Sequence, residues 1–406
     1  MNILVLNHYA GSPEMGMTFR PYYLGKEWTR MGHNVKIVTA DYSHLRIKNP
    51  AVKKDFQETF IDGISYYWIK TCRYKGNGLL RALSIFLFSG KLFIKSNSIA
   101  KEWKPDVVID ASTHHLDTYA AQRICKKSGA KLIHEVRDMW PITLLELGHM
   151  KKYNPFVFLI QCAENSFCKH ADYVVSLLPY AKEYLIKHGM RDDKFRVSSN
   201  GIVLEEWKEQ PSIPKEYDKV LKHLREEGKF IIGFLGSHTK SYALTYLIQA
   251  VQELDCLEIA VVFVGKGNQK EELKELASKK KCNNFYFLDP VPKSIIPTLA
   301  QRMDCLYVGA IHNDMFRFGI CMNKLFDSMM SGKPILYAVD APNNYVMDYH
   351  CGVSVEPESV EALEQGIRQL YTMSENEREE LGQNGRQAVL EHFTYEKLAA
   401  DFAALF

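Results

Sequence analysis

The chain has 406 residues, of which 46% are hydrophobic and 24% charged, long enough for about two domains, each with its own core. Its formal charge of +3 at pH 7 argues against wholesale nucleic-acid binding. The nine cysteines are scattered and form no CxxC pair, and Cys162, Cys168 and His170 lack ligand spacing, so they read as reduced core thiols and no metal or disulfide framework is expected.

The sequence opens directly on an apolar run over 3–6, so no signal peptide is expected, and no apolar run is long enough to span a bilayer. A cytoplasmic protein acting from the cytosolic face of a membrane is the expectation. Further strands are predicted over 35–39, 64–68, 107–109, 131–135 and 173–176. Helices lie between most of them. One over 17–31 ends at Gly32 and one over 116–128 at Gly129, each glycine just past the last periodic residue. The second half repeats the alternation: strands over 230–235, 259–264, 285–288, 304–310 and 335–339, with helices over 243–253, 270–279 and 294–301. Strands alternating with helices imply crossover connections and parallel sheets. The fold class is therefore α/β, with two Rossmann-like doubly wound domains whose carboxyl strand edges are expected to face a cleft. The first domain is read as 1–204 and the second as 216–394, joined by a polar, Pro-containing segment. An amphipathic stretch over 395–406 is expected to pack back on the first.

Candidate chemistry follows from the segments after strands. The loop from Asn7 to Arg20 contains Gly11 and Gly16 but no GxGxxG, so it points to acceptor binding through Gly16 and Arg20 or to a plain surface loop, and not to a nicotinamide or flavin. His114 and His115 follow Asp110 at another strand end, as proton shuttles, hydroxyl partners or structural histidines. Next come Arg137, Asp138 and Trp140-Pro141, a polar site or a salt-bridge network. In the second half, Gly236, His238 and Lys240 follow one strand, and Gly265, Lys266 and Lys270 follow the next. Backbone amides and lysines at such turns suit a diphosphate. The stretch FGICMNKLFDSMMSGKP, 318–334, lies between two apolar runs and carries Asn323, Lys324 and Asp327 on a helix start. A cation and a helix N-terminus favour phosphate, and a carboxylate one turn on can accept from ribose hydroxyls. An amphipathic helix with a charged exposed face is the alternative.

Taken together, GHNVKIVTA at 32–40, KPDVVIDAS at 104–112, SSNGIVLEEW at 198–207, the segment 230–251 and VVFVGKGNQKEEL at 261–273 resemble retaining GT-B glycosyltransferases of family 4. EVRDMWP with NKLFDSMMSGKP resembles the branch that builds bacterial capsule and O-antigen polysaccharides, including N-acetylaminosugar transferases. The resemblance implies transfer of a sugar from a nucleotide donor, UDP above all, to a lipid-linked glycan, with retention and with no metal or other cofactor. It aligns Asp327 with the ribose-binding carboxylate of the family's glutamate pair and puts Gly319 where the first glutamate stands. Ser237 and Tyr242 occupy the places of the family's diphosphate-binding Arg and Lys, so Lys240, Lys266 or Lys324 must supply that charge. His114, His115 and Asp138 are the implied catalytic positions. Gly236, His238, Lys240, Gly265, Lys266, Lys270, Asn323, Lys324 and Asp327 are implied on the donor side, and Gly16, Arg20, Arg137 and Trp140 on the acceptor side. Two other readings share the fold: a UDP-N-acetylglucosamine 2-epimerase-like enzyme, and a silent sugar-nucleotide-binding assembly protein. Over 73–101, cations interleave with Leu83, Ile85, Phe86, Leu87, Phe88, Leu92, Phe93 and Ile94, a pattern that suits either a helix in a bilayer interface or a buried helix with a basic edge.

Overall fold

The computed structural model describes residues 1–16, 19–208, 211–254, 257–279 and 284–406. The start of the expected helix over 17–31, residues 209–210 of the expected linker, and Cys256 and Cys282 lie outside them. The chain divides into two compact units, 1–199 with 395–406, and 200–394. Residues 200–208, shared between first domain and linker in the sequence reading, belong to the second unit: Ile202 bridges to Thr394, and Trp207 joins an apolar cluster with Val308 and Phe393.

The first unit is built on strands β1 (Asn2–Leu6), β2 (Asn34–Ala40), β3 (Gln57–Ile61), β4 (Ile64–Ile69), β5 (Val107–Asp110), β6 (Lys131–Val136), β7 (Tyr173–Ser176) and β8 (Phe195–Val197). Their order is β3-β4-β2-β1-β5-β6-β7-β8, parallel throughout apart from the β3–β4 hairpin. The turn of that hairpin is Asp62-Gly63, both at positive φ, as a two-residue turn between twisted strands requires. Strand order reverses beside β1, where β2 lies on one side and β5 on the other. Ligands bind at such points in open α/β sheets. The C-terminal helix Tyr395–Ala403 lies on the helix Arg20–Arg30. Trp28 Nε1 donates to the Ala399 carbonyl at 3.0 Å, and its ring meets Phe402 at 5.4 Å.

The second unit carries β9 (Phe230–Leu235), β10 (Ile259–Val264), β11 (Phe285–Leu288), β12 (Cys305–Gly309), β13 (Ile335–Ala338) and β14 (Gly352–Ser354), all parallel, in the order β11-β10-β9-β12-β13-β14. Both faces are covered, which is why the strands read as continuous apolar runs. Period two sorts them. Ile259, Val261 and Phe263 enter one core cluster, while Ala260, Val262 and Val264 enter another on the opposite face. The order reverses between β9 and β12, and that gap is where the second unit's cavity opens.

Candidate active site

The cavity has a volume of about 120 Å³ and is lined by Gly233, Gly236, Tyr307, Lys324, Asp327 and Ser328, with Ile296 and Ala300 closing one wall. Lys324 and Asp327 sit one turn apart on the helix Asn323–Met330, which begins just after the β12 loop. Lys324 Nζ is sealed from solvent and has no hydrogen-bond partner among the described residues. It rests on two aromatic faces, 3.0 Å from the centre of the Tyr242 ring and 4.3 Å from that of Phe234. Burial pushes its pKa down to about 7, because desolvation disfavours the ammonium more than two ring faces favour it. Gly236 makes room for the amine, since a Cβ there would stand 3.0 Å from Nζ. Asp327 keeps some accessible surface because it borders the open cavity. The surrounding protein pushes its carboxyl up to about 6, with Lys293 pulling the other way. The site thus holds an unpaired cation and a carboxyl group at a topological switch point, both titrating near neutrality.

The loops after β9 and β10 are stitched together above this cavity. His238 N–H donates to the Lys266 carbonyl at 2.9 Å, and Gln269 N–H to the His238 carbonyl at 3.0 Å. Glycine is required here: a Cβ on Gly265 would lie 1.9 Å from the Gly236 carbonyl oxygen, and one on Gly267 2.0 Å from that of His238. Two donor-side expectations are corrected. The His238 ring is fully buried among Phe234, Phe263 and Phe287, neither nitrogen has a hydrogen-bond partner among the described residues, and its pKa falls to about 4 through burial and then Lys270, Lys324 and Lys274. It therefore shapes the loop as a neutral ring and presents nothing to a ligand. Lys270 is bound to Asp289 at 2.8 Å and to the carbonyls of Gly265 and Leu288, so its charge is already engaged. Lys240 and Lys266 are exposed, as is Asn323 at the helix start.

In the first unit the expected groups separate. His114 and His115 are both buried, in two hydrogen-bonded chains. One runs Ser84–His8–His114, with 3.2 Å and 3.0 Å between partners. The other runs Asp110–His134–His115, at 3.0 Å and 3.1 Å. His114 Nδ1 accepts from the Leu116 N–H at 3.3 Å, which assigns its proton to Nε2 and makes it the donor to His8. Burial lowers all four histidine pKa values, that of His134 to about 3, so the rings are neutral. The expectation that one of His114 and His115 faces a ligand is corrected: both are internal. Arg20 is also corrected. Its buried guanidinium pairs with Glu135 at 2.9 Å and binds the backbone at Ser198 and Ser199. Gly16 packs on Ile47, and Trp140 joins an apolar cluster with Ile85 and Ile160. Arg137 and Asp138 remain available. Arg137 is half-buried, with no hydrogen bond or ion pair to any described residue. Asp138 is exposed at its own surface yet walled by protein, which raises its pKa against the pull of Arg137 and Arg81.

Sequence reading missed the aromatic seat of Lys324, Tyr242 and Phe234, because a strand residue and a short turn residue give no sign of meeting a helix start far along the chain. It placed Arg81 only among the cations of the 73–101 segment and missed its surroundings: Arg81 donates to Tyr9 Oη at 3.3 Å and lies over the Tyr9 and Trp140 rings at 5.5 and 5.7 Å.

With this geometry in place, the comparisons with known proteins are specific. Residues 218–388 match the model for glycosyl transferases group 1, and residues 16–206 the model for glycosyltransferase family 4. An uncharacterized glycosyltransferase of Methanocaldococcus jannaschii, MJ1069, is 25% identical over 242 residues, 59% of either chain. WcaI of Escherichia coli K12, named provisionally as a colanic acid biosynthesis glycosyl transferase, is 24% identical over 280 residues, 66% of this chain and 67% of its own. The chain therefore spans a little under two thirds of the archaeal relative's length and about two thirds of WcaI's. Among solved structures, sucrose-phosphate synthase from Thermosynechococcus elongatus superposes with a TM-score of 0.71 at 14% identity, over 100% of this chain and 98% of that one. HepE from Anabaena in complex with UDP-glucose superposes with a TM-score of 0.64 at 15% identity, over 100% and 98%. These structural likenesses bear on the fold. The two parallel α/β units have the GT-B fold of these neighbours, and each half of the chain matches a glycosyltransferase model. The chain carries the family 4 domain in its first half and the group 1 domain in its second.

Proposed function

We propose that the protein transfers a sugar, an N-acetylaminosugar by resemblance, from a UDP-linked donor to a lipid-linked glycan, with retention of configuration, in the assembly of a bacterial surface polysaccharide such as capsule or O-antigen. The observation that carries this reading is Lys324, an unpaired amine sealed into a cavity at the switch point of the second sheet, one turn from Asp327. A diphosphate entering the cavity gives Lys324 the counter-charge it lacks, and ribose hydroxyls can donate to Asp327. As the sugar–phosphate bond breaks, charge grows on the departing diphosphate, and a preorganised ammonium in a water-poor site stabilises it strongly. No cofactor and no metal is assigned a part, and no side-chain nucleophile is invoked.

Likeness to WcaI supports the polysaccharide role, and the UDP-glucose complex of HepE supports a uridine donor. A membrane-linked acceptor is supported by the helix Leu79–Trp103, which exposes Leu79, Leu83, Phe86 and Ile94 along one stripe while burying Ile85, Phe88, Leu92 and Ile99 on another. No helix among the described residues is long and apolar enough to cross a membrane, so we place the enzyme peripherally on the cytosolic face.

The test is calorimetric titration with UDP, GDP, ADP and their sugar conjugates in EDTA and in magnesium, followed by turnover with a prenyl-diphosphate glycan. UDP-sugar binding that survives EDTA, and a product whose anomeric coupling matches the donor, are expected. Absence of UDP binding, or release of an epimerised nucleotide sugar without acceptor, overturns the reading.

A further inference from the structure

In the first unit, the guanidiniums of Arg81 and Arg137 both act on Asp138, and neither is bonded to a carboxylate among the described residues. Arg81 stands in the first turn of the helix Leu79–Trp103. Its plane is fixed between two rings, 5.5 Å from the centre of Tyr9 and 5.7 Å from that of Trp140. Nε donates to Tyr9 Oη at 3.3 Å and Nη1 to Asn77 Oδ1. A guanidinium has five N–H donors, so three remain, and no carboxylate pairs with them among the described residues. Arg137 lies three residues before Trp140, at the carboxyl end of β6, half-buried and unbonded. Other half-buried or buried arginines among the described residues have partners: Arg20 meets Glu135, Arg46 the carbonyls of Ala10 and Ala40, Arg123 the Asn97 side chain and Arg378 the carbonyls of Leu370 and Met373. Asp138 faces both Arg81 and Arg137, which attract it, and neither bonds it among the described residues.

A fixed guanidinium with open N–H groups suits a phosphoryl oxyanion, which it can bind through two parallel hydrogen bonds, and a second guanidinium suits a dianion. The surroundings narrow the ligand further. Leu79, Leu80 and Leu83, on either side of Arg81, are 90%, 54% and 46% exposed. Apolar surface directly beside an unpaired cation is complementary to an amphiphile whose tail begins at a phosphoryl group.

We propose that Arg81 and Arg137 form a phosphoryl subsite on the first unit that holds the diphosphate of a prenyl-linked acceptor, its lipid lying along Leu79, Leu80 and Leu83. This rests on the acceptor-side reading of the first unit and deepens it from a lipid-linked glycan to the group that is gripped.

The test is titration of the full chain with farnesyl diphosphate and with inorganic pyrophosphate, both in saturating UDP so that the donor cavity is occupied. Farnesyl diphosphate is expected to bind more tightly than pyrophosphate. Arg81→Gln and Arg137→Gln are each expected to weaken it roughly ten- to hundredfold, with unchanged melting temperature and unchanged UDP affinity. Asp138→Asn, which removes the facing negative charge, is expected to tighten it. Failure of farnesyl diphosphate to bind the unaltered chain, or unchanged affinity in both arginine variants, overturns the subsite. Equal affinity for pyrophosphate overturns the lipid assignment. Loss in the arginine variants with no UDP binding by the unaltered chain upholds the subsite while sinking the donor reading.

Discussion

Lys324 is costly where it stands. A buried amine that takes up a proton at about 7 instead of 10.5 is protonated in the unfolded chain well before the folded one, so it lowers stability throughout the range below the unfolded value. Lys324→Met should therefore raise the melting temperature at pH 7, while weakening UDP binding roughly tenfold to a hundredfold through loss of a charge-assisted contact. Differential scanning fluorimetry and calorimetry read the two effects separately, and a loss of stability would show that Lys324 is structural. The pH profile carries the same signature. Only protonated Lys324 attracts the diphosphate, so UDP affinity should fall about tenfold per pH unit above 7. Asp327, held at about 6, loses its best acceptor form below that value, so affinity should fall again on the acid side. A profile flat from pH 5.5 to 8.5 would sink both assignments. These two residues were legible because a helix start after an apolar run has few chemical uses. His238 was not. Its position in the turn was read correctly, but the direction of a ring is decided by what packs around it, here three phenylalanines from three adjacent strands, β9, β10 and β11.

At the level of elements, the alternation of strands and helices carried most of the fold. The long parallel strands agree with the expected runs to within a residue or so at either end, since burial on both faces leaves a continuous apolar signature. Three strands escaped. β8 and β14 have three residues each, too few for any period to register. β3 is an edge strand with alternating exposure, and its sign was Asp62-Gly63, a hairpin turn that the hydrophobic pattern overshadowed. The helix Leu79–Trp103 shows why the segment 73–101 admitted two descriptions: it has two apolar stripes, one packed inside and one bare. The bare stripe makes a prediction. Sedimentation with anionic vesicles at low salt should capture the protein, with exposed Arg73 and Lys75 adding charge attraction. Leu83→Glu with Phe86→Glu should reduce capture roughly tenfold or more, because each apolar side chain transferred from water is worth about 1.5–3 kcal/mol. Equal capture of the double variant would remove this helix from the membrane-binding surface.

Across the whole molecule, protonation is distributed unevenly. The first unit stores four neutral buried histidines, His8, His114, His115 and His134. Their unfolded counterparts take up protons near 6.5, while the folded rings resist, so stability is complete above that value and is lost as pH falls below it. Each ring contributes about 1.4 kcal/mol per pH unit. Asp110, whose carboxyl is raised well above its ordinary value by burial and Asp117, titrates in the opposite sense. The unfolding transition of the first unit should drop by about 3–5 kcal/mol between pH 6.5 and pH 5.5 in denaturant titrations. An unchanged transition would mean the rings are not held neutral. The return of Tyr395–Ala403 to the first unit has a consequence for biosynthesis. The unit begun by residues 1–199 is finished by residues that leave the ribosome only after all of 200–394 has been made. Until then the surface that Ala399 and Phe402 will cover, with Trp28 at its centre, stays open to solvent. Folding of the first half during synthesis is thus provisional, and a nascent chain stalled before residue 395 displays an apolar face for chaperones to find.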